Sequence, residues 1–395
     1  MVKLEKKAFF GLFLAVLILI SACSKGKSST TKTLEELRVG TEGLAMSFLP
    51  NNPPERIHVE KGADSELNRF DVVLEVRNKG ASPQPGEGTG GGEFFGINGK
   101  IYLSGYDTNI LDFFDPKPPI ADLNTKTLEG KTTINPNGGL DFATFKGRVN
   151  ADNLNVEKYE PVIQATACYV YSTIANPSVC IDPNPYSTIK EKKVCEVKDT
   201  ALSNQGAPVA VTAVNEEAFA TKTQFRITIK NVGNGDVLKT YALSEDKCNP
   251  FGDVKLQRED VDKVYLLYAR IGNKPLQCSP FVDGQVKAQV GFIKLINGEG
   301  SIICEFPRSE YSLSKTAYIS PLEIELRYVY RNTIEKRIQI KREAVGISST
   351  GIGVSSGGAS TTPSPSYEGQ PLPSGETDIC LIFDKATNQC IKYTD

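Results

Sequence analysis

In Phe70-Asp71-Val72-Val73-Leu74-Glu75-Val76-Arg77-Asn78-Lys79-Gly80, Phe70, Val72, Leu74 and Val76 alternate with Asp71, Val73, Glu75 and Arg77. A period of two turns one face of a strand toward a core and the other toward water. Asn78 and Gly80 supply turn chemistry where the alternation stops. The arrangement returns later: Phe225, Ile227 and Ile229 alternate with Arg226, Thr228 and Lys230, and Asn231-Val232-Gly233 follows. Both segments read apolar-x-apolar-x-Asn-x-Gly.

Outward from these segments the chain stays strand-like. Ile101-Tyr102-Leu103 follows an Asn98-Gly99 turn, and the stretches 142–149, 162–171 and 264–271 are short, β-rich and bounded by turn residues. Leu322, Ile324, Leu326, Tyr328 and Tyr330 alternate, and are expected to turn near Asn332-Thr333 and return through Ile338 and Ile340. One short helix is expected between Leu34 and Leu49, ahead of Pro50-Asn51-Asn52-Pro53-Pro54. Many short strands divided by Pro and Gly predict an all-β sandwich architecture. The expected organisation is a leader at 1–22, a polar tether at 23–35, a first sandwich domain at 36–160 and a cysteine-bearing one at 161–345. Residues 346–376 are dominated by Ser, Gly, Thr and Pro, too poor in apolar surface to offset ordering entropy, and read as a disordered linker. Cys380 and Cys390 then frame a small hairpin within 377–395, expected to be closed by its own disulfide.

The doubled Asn-x-Gly strand resembles the "vkNxG" segment of CARDB-like and related immunoglobulin-like modules in prokaryotic surface proteins. It covers about ten residues in each of the two places and implies two immunoglobulin-like β-sandwich domains. No functional residue follows from it. Gly40-Thr41-Glu42-Gly43-Leu44 and the stretch from Cys168 to Cys195 are similar to surface proteins of small-genome archaea.

At the start of the chain, Lys3, Lys6 and Lys7 precede an apolar run from Ala8 to Ile20, and Ser21-Ala22-Cys23 closes it. A helix crossing a ~30 Å hydrocarbon core needs about 20 residues, so the run is of signal-peptide length. Ile20-Ser21-Ala22-Cys23 resembles the lipobox of secreted lipoproteins, which implies cleavage before Cys23 and a lipid on its sulfur. Lys7-Ala8-Phe9 also resembles an archaeal prepilin cut site, which would keep the apolar helix. The polar stretch 24–31 suits a tether that lifts a domain off a membrane.

The formal net charge of −2, with both signs interspersed, offers no basic stripe for nucleic acid. Nine cysteines less Cys23 leave eight: Cys168, Cys180, Cys195, Cys248, Cys278, Cys304, Cys380 and Cys390. An even set in an exported chain reads as disulfides, with connectivity open. A metal cluster is not expected, because no C-x-x-C occurs and His58 is the only histidine.

Chemistry-bearing motifs are weak. Gly86-Glu87-Gly88-Thr89-Gly90-Gly91 fits G-x-G-x-x-G, but Pro-rich residues lead into it where a phosphate loop needs a strand, so it reads as a loop. His58 has no G-x-S-x-G or H-E-x-x-H context. Asp107, Asp112 and Asp115 crowd one segment without calcium-loop spacing and read as a solvated acidic loop. These features predict a non-enzymatic protein anchored to the outer face of a membrane, with a structural, adhesive or partner-binding role and no cofactor. Its expected partners are the membrane, through the anchor, and an envelope protein or glycan. The alternatives are a carboxylate-dependent hydrolase and a pilin-like filament subunit.

Overall fold

In a computed structural model the described residues are 34–60, 68–83, 97–123, 128–187, 193–282, 287–311, 316–342, 380–384 and 389–393. Among them the regular structure is β, apart from the helix Leu34–Leu37 and the 3-10 turns Ala151–Asn153 and Arg308–Glu310. The chain up to Val345 forms one unit and residues 346–395 a second. Cys23, the 86–91 glycine loop and the 346–376 linker lie outside the described residues.

The opening alternation becomes the strand Arg69–Asn78, which buries Phe70, Val72, Leu74 and Val76. Its counterpart is Lys222–Asn231, which buries Phe225, Ile227 and Ile229. Each sits inside its own antiparallel sheet. The four-stranded sheet runs Leu44–Phe48, Arg69–Asn78, Leu140–Val149, Leu111–Asp115. The five-stranded sheet runs Thr200–Ala201, Val209–Ala218, Lys222–Asn231, Glu299–Pro307, Gln277–Ser279.

A third, nine-stranded sheet joins the two halves of the sequence. Its spine is the pairing of Val162–Ala175 with Tyr318–Arg337, antiparallel from Ile324↔Ala175 to Arg337↔Val162. Gly99–Ser104 flanks the first of these strands and Lys263–Ile271 the second. One face of the spine carries Ile163, Ala165, Ala167, Tyr169, Tyr171, Leu326, Tyr328 and Tyr330. These pack in a single core with Val72, Leu74 and Phe145 of the four-stranded sheet and Val211, Ile227 and Ile302 of the five-stranded one. Fully burying one such Leu, Ile or Phe contributes about 1.5–3 kcal/mol, so this core is the main source of stability.

Two local expectations are corrected. No turn occurs at Asn332-Thr333: both continue the ladder, opposite Ala167 and Thr166, and the strand runs on to Arg337. The Thr333 and Thr166 hydroxyls lie 2.9 Å apart and Asn332 Nδ2 donates to Leu44 O, so side chains that favour turns reach partners on neighbouring strands instead. The expected helix shrinks to Leu34–Leu37, because Leu44–Phe48 pairs with Asn78–Leu74 as an edge strand.

Among the described residues three disulfides form, Cys168–Cys248, Cys180–Cys195 and Cys278–Cys304, the last between residues directly opposite in the ladder. Cys168–Cys248 fastens the 239–262 segment to the reverse face of the spine, over Tyr102, Leu238 and Val329. In the second unit Cys380–Asp384 pairs antiparallel with Gln389–Tyr393, with Phe383 opposite Cys390. The expected Cys380–Cys390 bond lies outside the described side chains.

Candidate functional site

Two identical tripeptides, Tyr169-Val170-Tyr171 and Tyr328-Val329-Tyr330, face each other across the spine, Val170 opposite Val329. Their four rings close a buried circuit with centroids 5.8 Å (Tyr169–Tyr171), 6.4 Å (Tyr171–Tyr328), 6.4 Å (Tyr328–Tyr330) and 6.1 Å (Tyr330–Tyr169) apart. Burial pushes the hydroxyls of Tyr169 and Tyr328 well above the usual tyrosine range, so both stay neutral donors and acceptors.

The hydrogen bonds of this circuit repeat. Tyr171 Oη donates to Asn78 Oδ1 (3.3 Å) and accepts from Ser82 N (3.2 Å), while Asn78 Nδ2 donates to Ser82 O (2.9 Å). Tyr330 Oη donates to Asn231 Oδ1 (3.3 Å) and accepts from Gly235 N (2.7 Å), while Asn231 Nδ2 donates to Gly235 O (2.8 Å). Tyr169 Oη accepts from Leu44 N, Tyr328 Oη from Val209 N. Leu44 stands opposite Asn78 in its sheet, and Val209 opposite Asn231. Thr173 Oγ1 donates to Val209 O and Asn332 Nδ2 to Leu44 O, so each half braces the other. The two halves repeat this plan of hydrogen bonds and are joined along Val162–Ala175 and Tyr318–Arg337.

The same circuit explains the glycines. A Cβ on Gly80 would collide with the Tyr171 hydroxyl and one on Gly233 with that of Tyr330. The Asn-x-Gly strand ends therefore require glycine to let a tyrosine approach, beyond any need for turn freedom.

Above this seam lies an open cleft of about 920 Å³ lined from both halves by Gly40, Thr41, Glu42, Arg77, Lys79, Lys131, Pro136, Asn137, Val232, Gly233 and Asn234. Its only lining carboxylate among the described residues, Glu42, pairs with Lys79 at 3.3 Å. Arg77 reaches Glu75 at 3.5 Å, and Lys131 Nζ donates to Val39 O. A narrower recess of about 200 Å³ shares Thr41, Glu42, Lys79 and Asn234 and reaches down to Tyr169, Tyr330 and Asn332.

The sequence-level candidates fall elsewhere. His58 is exposed on Arg56–Val59, a strand parallel to Gln339–Arg342. Asp112 pairs with Lys117 (3.1 Å) and Arg148 (2.8 Å), and Asp115 with Lys146 (2.9 Å). Partial burial opposes ionisation of Asp112, but hydrogen bonds from Lys117 and Arg148 prevail and hold its carboxyl below the usual range. Asp107 Oδ1 accepts from Asn109 N in a local turn. Among the described residues, no group of three or more His, Cys, Asp or Glu is placed to hold a metal ion.

One carboxyl stands out. Glu216 is 5% exposed, accepts from Cys180 N through Oε2 (3.0 Å) and, among the described residues, has no partner for Oε1. Burial pushes it up to about 7, the Cys180 amide only partly offsetting this.

The cleft and Glu216 were missed from sequence because nothing local marks them. The Tyr-Val-Tyr doublet was the available signal for the seam. Neither a protein-family model nor a curated protein matches this chain.

Proposed function

We propose that this is a lipid-anchored extracytoplasmic surface protein that binds a partner without catalysis. In this reading its two halves are immunoglobulin-like sandwiches, Cys23 carries the lipid, and the seam cleft is the contact surface. The observation that carries it is the cleft itself: it is open and polar, drawn from both halves, and its one lining carboxylate is held by a lysine. A surface of this kind suits recognition, whereas acid–base hydrolysis calls for two carboxyl groups flanking the bond to be broken. Three disulfides within the first unit support an oxidising compartment.

The hydrolase reading is favoured by Glu216, since a carboxyl near 7 is what a general acid needs. Against it, Glu216 is buried beneath the Cys180 amide.

Cell fractionation tests the anchor. Cys23→Ser is expected to shift the protein from the membrane to the soluble fraction. Retention of that variant in the membrane, with a mature chain beginning at Phe9, would overturn the lipoprotein reading in favour of a filament subunit.

A further inference from the structure

We infer that the seam cleft takes an acidic saccharide chain, and that the first half alone carries the charge that selects it. This rests on the binding reading above and names its ligand class.

The repeat supplies the argument. Asn78 and Asn231 and the paired tyrosines hold the same places and make matching hydrogen bonds, and Gly80 and Gly233 each leave room for a tyrosine hydroxyl. These shared residues are the parts the fold requires of both halves. The lining residues are where the halves part: Lys79, between Asn78 and Gly80, faces the cleft in the first half, and Val232 holds that position in the second. Folding does not require a cation there, since the second half makes the same seam with valine.

Glu75 and Glu42 stand against Arg77 and Lys79, and with Lys131 the three cations still outnumber these two carboxylates among the described residues, so the cleft attracts negative charge. A guanidinium beside ammonium groups suits carboxylates, bidentate at the arginine. Thr41, Asn137 and Asn234 add neutral groups of the kind that meet sugar hydroxyls. An open groove accommodates a chain passing through, where a small free anion would be enclosed.

The test is calorimetric titration of the full-length protein with an oligogalacturonate and with its fully methyl-esterified form, each oligomer being weighed by mass spectrometry afterwards. Saturable binding of the acid form is expected, weakening as salt rises. Lys79→Val, which installs the second half's own residue, and Lys131→Ala should each weaken it roughly three- to tenfold. Lys230→Ala removes a cation paired with Glu299 outside the cleft lining and should leave binding unchanged. Equal binding of the ester would overturn the acidic-ligand inference while leaving a binding protein. Absence of binding to both forms, or equal loss from Lys230→Ala, would overturn the site. Salt-dependent capture followed by shortening of the oligomer would keep the ligand class and overturn the non-enzymatic reading.

Discussion

Glu216 gives the sharpest residue-scale consequence. Its carboxyl titrates near 7 in the folded protein against about 4.5 when exposed, so the native state holds the proton more tightly. Stability is therefore fullest below about pH 4.5 and falls as pH rises toward 7, where the buried group must ionise with no partner for Oε1 among the described residues. A gap of that size corresponds to about 3 kcal/mol. Urea denaturation at pH 5 and pH 8 should show the loss, and Glu216→Gln should flatten it. A pH-independent midpoint for the unmodified protein, or a slope unchanged in Glu216→Gln, would remove Glu216 as the cause. No local pattern announced this group: Asn215-Glu216-Glu217 reads as a polar strand end, and its burial against the Cys180 amide comes from tertiary packing.

Among the elements, strand identity was legible and strand partnership was not. The alternation at Phe70–Val76 and Phe225–Ile229 became strands because period two needs only one buried face. Asn332 and Thr333 misled because their turn preference is a local one. Leu44 O and Thr166 Oγ1 meet their side chains from strands far away in sequence. The glycines of the two Asn-x-Gly ends have a reason that only the assembled sheets supply, the nearness of Tyr171 and Tyr330. Gly80→Ala and Gly233→Ala should accordingly each destabilise the protein by about 1–3 kcal/mol, the range for overpacking a filled core. Thermal melts check this. In Gly80→Ala the added methyl also meets the Glu42 and Gly206 carbonyls, so the loss should be at least as large there. Unchanged melting of both variants would contradict the bracing described for the seam.

For the whole molecule, the all-β character and the cysteine staples were within reach of the sequence, whereas the way the halves merge was not. The sequence divides near 160, yet Gly99–Ser104 from before that point pairs with Val162–Ala175 from after it, and one core runs beneath both parts. The pairing of the cysteines was equally hidden, since Cys168 reaches Cys248 across a separation of 80 residues. The merger places a cleft where the two repeats meet, the contact surface of the anchored protein proposed above. Intact mass of the protein extracted from its native membrane, before and after reduction with thiol labelling, tests that reading most directly. The account predicts a chain beginning at a lipidated Cys23 that takes up eight labels only after reduction. A chain beginning at Phe9, or labels taken up without reduction, would contradict it.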